Sequence, residues 1–296
     1  MMRDFSGTGV ALVTPFDAQG NVDFEALGRL LDHTAKGGVD YWVVQGTTGE
    51  SVTLTQKEKH EVLAFIKANN PKNLPIVLGI GGNNTHVVLE QLQEMDLEGV
   101  DAILSVSPAY NKPTQEGIYQ HYKMVADASP VPVILYNVPG RTASKIKVKT
   151  TLRLAAHPNI IGTKEATGDI GDAIEIARKA PADFLLISGD DLLTLPLISV
   201  GCKGVISVLA NALPEAMQAI VKPALANDMQ EAGKAVHQIA EINPLMYAEA
   251  NPVGVKQLLK EMHICENHVR LPLLPATAPL QEKIKNAYSS FLVVEH

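Results

Sequence analysis

Short runs of apolar, mostly β-branched residues recur along the chain at roughly 25–30-residue spacing, and each is followed by a stretch with helical periodicity. The first run, Val10-Ala11-Leu12-Val13, stops at Thr14-Pro15-Phe16, and the spacing then predicts a helix over 24–35 that ends at Gly37-Gly38. The second, Tyr41-Trp42-Val43-Val44, closes on Gln45-Gly46-Thr47-Thr48-Gly49-Glu50-Ser51. Thr55-Gln56-Lys57-Glu58 has the spacing of a capping box and opens the next helix. Runs three and four cover 76–80, followed by a helix to about Leu97, and 102–106, which leads into Ser107-Pro108-Ala109-Tyr110-Asn111-Lys112-Pro113. Run five covers 133–137 and precedes Val138-Pro139-Gly140-Arg141-Thr142. Run six starts at Ile160-Ile161 and ends on Lys164; run seven, 184–188, stops at Gly189-Asp190-Asp191; run eight covers 204–208. These runs are continuously hydrophobic rather than alternating, as expected of parallel strands covered on both faces. Eight such units predict an α/β fold, a (β/α)8 TIM barrel. From about Pro214 onward only helical periodicity is visible, with breaks near Pro223, Pro244, Pro252 and Pro272 to Pro275. The expected organisation is a catalytic barrel over 1–225 and a C-terminal helical extension over 226–296.

Composition narrows the function. With 296 residues and 46% hydrophobic content, the chain can bury a core large enough for such a barrel. The net charge of −7, with Lys and Arg scattered, argues against a nucleic-acid surface. Two cysteines, Cys202 and Cys265, make no disulfide framework and point to a reducing compartment. Residues 1–7 lack the apolar core of a signal peptide, and no apolar run approaches the ~18 residues needed to span a bilayer. The expectation is a cytoplasmic protein that does not bind membranes.

Lys164 is the residue that changes the picture most. A lysine on an interior strand is rare, because stripping water from an ammonium costs more than its stem recovers. The same desolvation disfavours the charged form, and a neutral amine is a nucleophile toward carbonyls. A pairing with the adjacent Glu165, or an outward-snorkelling stem, is the structural alternative. In a TIM barrel the loops after the strand ends meet at one mouth. Thr47, Thr48, Tyr110, Tyr136, Arg141, Lys164 and Gly189 all fall at such ends. With neighbouring strands ~4.8 Å apart, Tyr136 can come within reach of a Schiff base on Lys164.

Three motifs occur in order: Gly46-Thr47-Thr48-Gly49-Glu50, Tyr136-Asn137-Val138-Pro139-Gly140-Arg141-Thr142, and Gly162-Thr163-Lys164-Glu165-Ala166. Together with the stretches around Gly7 to Phe16 and through Ser207, they make the chain resemble the 4-hydroxy-tetrahydrodipicolinate synthase (dihydrodipicolinate synthase) family of class I Schiff-base aldolases. The resemblance implies a lyase that condenses pyruvate with (S)-aspartate 4-semialdehyde in diaminopimelate and lysine biosynthesis. It needs no cofactor beyond the covalent Schiff base on Lys164. It implies Tyr136, Thr47 and Tyr110 as a proton-relay triad, with Tyr110 crossing from a neighbouring subunit of a homodimer or homotetramer. Thr48 would hold the pyruvate carboxylate and Arg141 that of the semialdehyde, with Gly189 and Ile206 also at the substrate.

Other readings are an N-acetylneuraminate lyase or 2-keto-3-deoxy sugar acid aldolase on the same scaffold, a metal enzyme, and a non-catalytic barrel. Arg141 and the Thr47-Thr48 pair favour the synthase over its sister aldolases. The closest approach to a metal motif, His263-Ile264-Cys265-Glu266-Asn267-His268, lacks ligand spacing, so no metal is expected. Relatives that lysine inhibits carry a feedback site, which Ser51 and Asn83 fit here. Val87 replaces its acidic residue, Gln56 and Lys59 its histidines and Ala109 its aromatic residue, so weak or absent lysine feedback is expected. Gly254 stands where the family often has proline and reads as a minor change.

Overall fold

The computed structural model describes residues 3–294. Eight parallel strands close into a barrel in chain order, β8 returning to β1. They are β1 (Gly7–Ala11), β2 (Tyr41–Val44), β3 (Ile76–Gly79), β4 (Ala102–Val106), β5 (Val133–Asn137), β6 (Ile160–Glu165), β7 (Leu185–Ser188) and β8 (Gly204–Ser207). Alternate residues of each strand face two different cores. Tyr41, Val43, Val77, Leu104, Ile134, Ile187 and Ile206 fill the barrel interior. Trp42, Val44, Ile76, Leu78, Ile103 and Leu135 pack outward beneath the helices. Burial on both sides explains the continuous hydrophobic runs.

Strand boundaries depart from the hydrophobic runs where backbone pairing begins on small residues. β1 starts three residues before the run of 10–13, because Gly7, Thr8 and Gly9 pair with Gly204, Val205 and Ile206. The Leu12 N–H still donates to the Val43 carbonyl of β2, and beyond it the Val13 N–H donates to Asn211 instead. The first helix, Phe24–Lys36, is capped by Asp23, and Thr55 and Glu58 form the expected capping box on Gln56–Ala68. The break near Pro223 falls just after it: the helix Pro214–Leu225 carries Pro223 in its last turn and ends two residues later. Having no N–H, Pro223 cannot donate within the helix, while the Lys222 carbonyl still accepts from Ala226 at the helix end.

The helices Met229–Ile239, Val253–Glu261 and Ala278–Val294 follow. They are tied to the barrel by a buried polar cluster. Lys256 donates to Glu50 at 2.5 Å and to the carbonyl of His268, while Arg270 pairs with Glu58 and its backbone N–H donates to Glu50. Gly254 is more than a minor change, because a Cβ there would lie 2.3 Å from the Leu245 carbonyl oxygen. Among the described residues no helix is long and apolar enough to cross a membrane.

Candidate active site

Lys164 stands near the C-terminal end of β6, in register with Tyr136 on β5 and Ile187 on β7. It is 4% exposed, and its Nζ lies 4.6 Å from the centroid of the Tyr136 ring. Among the described residues no carboxylate comes within ion-pair distance of it. Glu165, the partner a structural lysine would use, follows it in the strand and so faces the opposite side of the sheet. Its oxygens accept from Asn137 and Thr163. Burial brings the Lys164 amine down to about 8; Asp191 opposes that shift and Arg141 reinforces it. A useful share of the amine, about a tenth at pH 7, is therefore neutral and nucleophilic.

Tyr136 is buried, which raises its pKa, while the Arg141 charge and a hydrogen bond with the Thr47 hydroxyl pull it back. The turn that carries Thr47 and Thr48 is bracketed by two non-glycine residues with left-handed backbone, Gln45 (φ 59°) and Glu50 (φ 52°). Such conformations persist only where the surroundings over-determine them. Here the Gln45 side chain donates to the Lys59 carbonyl, and Glu50 is held by Lys256 and Arg270. Thr48 is buried, and its Oγ1 accepts from Asn251 Nδ2 at 3.0 Å.

Arg141 lies on a single helical turn, Pro139–Thr142, directly after β5, and is exposed at the mouth. Gly189 passes so close to Lys164 that a Cβ there would sit 3.0 Å from the lysine Cε. Ile206 is buried on β8, in the interior cluster that also holds Tyr136. Tyr110 is not brought to this group. It is 88% exposed with φ 68°, and its phenol has no hydrogen bond to any described residue of its own chain.

Ser51 and Lys59 line a cavity of about 180 Å³ together with Thr47 and Tyr136. Asn83, Gln56 and Val87 lie on the exposed surface, and Ala109 is half-buried. Burial lowers the pKa of Lys59. Among the described residues no three His, Cys, Asp or Glu side chains are grouped to hold a metal ion.

Four residues around the site carry no motif of their own. Asp191, fully buried, accepts from the N–H groups of Val208 and Leu209 and from the Tyr247 phenol. Asn251 and Lys256 reach the β2 loop from more than 200 residues away, as their bonds to Thr48 and Glu50 show. The only signal for Lys256 in the sequence is a lysine on an otherwise apolar turn, Val253-Gly254-Val255-Lys256.

An interior amine whose hold on its proton is weakened by burial, with a phenol facing it across one strand spacing, is the equipment of a lyase of the class I aldolase type on a TIM barrel. Comparison with known proteins places it further. The chain belongs to the dihydrodipicolinate synthetase family, whose profile matches residues 4–290. It is 48% identical over 287 residues to the 4-hydroxy-tetrahydrodipicolinate synthase of Cytophaga hutchinsonii, covering 97% of each chain. It is 50% identical over 284 residues to that of Flavobacterium psychrophilum, covering 96% of this chain and 97% of the relative. Its fold matches the chloride-inhibited dihydrodipicolinate synthase of Acinetobacter baumannii, solved with pyruvate, at a TM-score of 0.95 and 39% identity. That match covers 98% of this chain and all (100%) of the other.

Proposed function

We propose that Lys164 is the amine through which this member of the family condenses pyruvate with (S)-aspartate 4-semialdehyde, in diaminopimelate and lysine biosynthesis. The neutral amine adds to the keto carbon of pyruvate, and loss of water leaves an iminium. A proton leaves the methyl carbon, the C–H electrons move into the new C=C bond, and the resulting enamine attacks the aldehyde carbon. The aldehyde oxygen takes up a proton. The semialdehyde's own amino group then displaces Lys164 from the iminium carbon and closes the ring. Each proton needs a nearby carrier. Tyr136 with Thr47 supplies it, joined by Tyr110 of a neighbouring subunit in a homodimer or homotetramer. Thr48 and its backbone N–H hold the pyruvate carboxylate, Arg141 meets the carboxylate of the semialdehyde as a planar fork, and Gly189 and Ile206 shape the space beside Lys164. The two buried free thiols, Cys202 and Cys265, suit a reducing cytoplasm.

The observation that carries this reading is a 4%-exposed lysine with no acidic partner among the described residues, in register with a buried tyrosine. Borohydride reduction in the presence of pyruvate should attach a pyruvate-derived mass to the peptide holding Lys164, and Lys164→Ala should abolish it. Persistent labelling elsewhere on the chain removes the assignment. Consumption of aspartate semialdehyde with pyruvate, against release of pyruvate from sialic acid, separates this activity from that of a sister lyase.

The exposure of Tyr110 supports its role in a partner's site. Subunits carrying Tyr110→Phe mixed with subunits carrying Lys164→Ala should regain activity, because the hybrid dimer contains one site with both groups. No regain would place Tyr110 outside the reaction. Lysine should inhibit weakly or not at all, since Val87 offers no anion to its ammonium and Lys59 adds like charge; inhibition at sub-millimolar lysine would show otherwise.

A further inference from the structure

Among the described residues Thr48 has one hydrogen-bond partner, the Nδ2 of Asn251, which donates to its Oγ1 at 3.0 Å. Both residues are buried, at 3% and 8% exposure. A threonine hydroxyl has one hydrogen and two lone pairs. With an amide hydrogen already directed at a lone pair, the hydroxyl's own hydrogen is left to donate elsewhere. The Oδ1 of Asn251 is itself buried without a partner among the described residues, so none of them anchors the side chain at that end.

The backbone is built to hold this contact. Ala250, just before Asn251, has φ 101°, a conformation an alanine adopts only when forced. Glu50, two residues after Thr48, is clamped to Lys256, five residues after Asn251, so the two segments are tied a second time just beyond the hydrogen bond.

We propose that Asn251 is a positioning residue that fixes the polarity of the Thr48 hydroxyl as a donor, and thereby makes this corner of the site select a carboxylate. The inference rests on the assignment of Thr48 to the pyruvate carboxylate. An aspartate at 251 would have nearly the same shape but could only accept. It would capture the hydroxyl hydrogen and place a negative charge behind it. An alanine would leave the hydroxyl free to turn, without opposing the ligand.

This reverses the order that a packing role gives. If Asn251 only fills space, the isosteric Asn251→Asp is milder than the cavity-forming Asn251→Ala. If it sets polarity, Asn251→Asp is the worse of the two. The measurement is the KM for pyruvate and the pyruvate concentration giving half-maximal borohydride trapping, with kcat recorded alongside. Asn251→Asp should raise both by about tenfold or more, exceed Asn251→Ala, and lower kcat less than it raises KM. Equal effects, or Asn251→Ala the worse, overturn the proposal. In a Thr48→Val background the gap between the two variants should narrow; an unchanged gap means Asn251 does not act through Thr48, and the proposal falls. Should Asn251→Asp fail to fold by thermal unfolding, the cycle of Asn251→Ala with Thr48→Val decides, non-additive effects on KM supporting the proposal and full additivity overturning it. Thr48→Val alone tests the underlying assignment, because an unchanged pyruvate KM in that variant removes Thr48 from the carboxylate whatever Asn251 does.

Discussion

Two lysines in this protein are buried to nearly the same degree and have opposite fates. Lys256, with a fully buried side chain, meets Glu50 at 2.5 Å, the carbonyl of His268 and the face of Phe16. Lys164 meets the face of Tyr136 and no carboxylate at ion-pair distance among the described residues. Burial pulls the pKa of both down, but at Lys256 the Glu50 charge and hydrogen bond work against that pull. At Lys164 the nearest opposing charge, Asp191, acts only through space and is itself occupied by two backbone N–H groups and a phenol. Desolvation alone therefore does not make a nucleophile. A buried lysine becomes one when the fold withholds the anion that would keep it charged.

The comparison can be broken at the level of activity first. Lys164→Ala should lower kcat/KM by more than about a thousandfold, as for loss of a group that bonds to substrate. Lys256→Met should act on activity only through the displaced β2 loop, with the Schiff base still trapped on Lys164. A covalent adduct that survives Lys164→Ala but is lost in Lys256→Met would exchange the roles assigned to the two amines.

Stability should show the reverse order. Among the described residues, removing Lys256 leaves the buried Glu50 carboxylate with the Arg270 N–H as its one remaining donor, so Lys256→Met should cost about 3–5 kcal/mol in denaturant unfolding. Adding Glu50→Gln should recover much of it. Lys164→Met, which replaces an unpaired buried amine with an apolar chain of similar length, should cost nothing or stabilise the fold. A large loss there would reveal a partner for Lys164 that the geometry does not show.

The smallest effect is in the pH dependence. The folded state holds Lys164 at about 8, below its ordinary 10.5, so between these values the unfolded chain binds more protons than the folded one. The contribution of this residue to stability therefore rises with pH across that window and is least below about 8. Lys164→Met should flatten that part of the stability curve. In the intact enzyme the rate of pyruvate capture should climb as pH approaches 8 and level off above it. A capture rate that does not change over this range would mean that the amine is already neutral, or that its deprotonation does not limit the step.

Much of this could be read along the chain because the forces behind it are local or periodic. Parallel strands covered on both faces leave continuous apolar runs, so all eight strands and their order were legible. The helix starts at Phe24 and Gln56 were legible because their caps lie within three residues. A boundary went wrong where side chains say little: β1 begins on Gly7-Thr8-Gly9, whose pairing with β8 is a backbone property. Asn251, Tyr247 and Lys256 stayed invisible because nothing near them in sequence marks what they touch.

The order of residues alone determined that polar side chains would stand at the ends of buried strands, and that one of them would be an amine at the end of the sixth. Hydrophobic periodicity and strand connection settle that much, since both act between near neighbours. Which buried amine would be left without an anion, and which way the Thr48 hydroxyl is directed, was decided only by the closed barrel and the extension folded against it. Those properties depend on distances of a few ångströms between groups some two hundred residues apart, and no local pattern encodes such a distance.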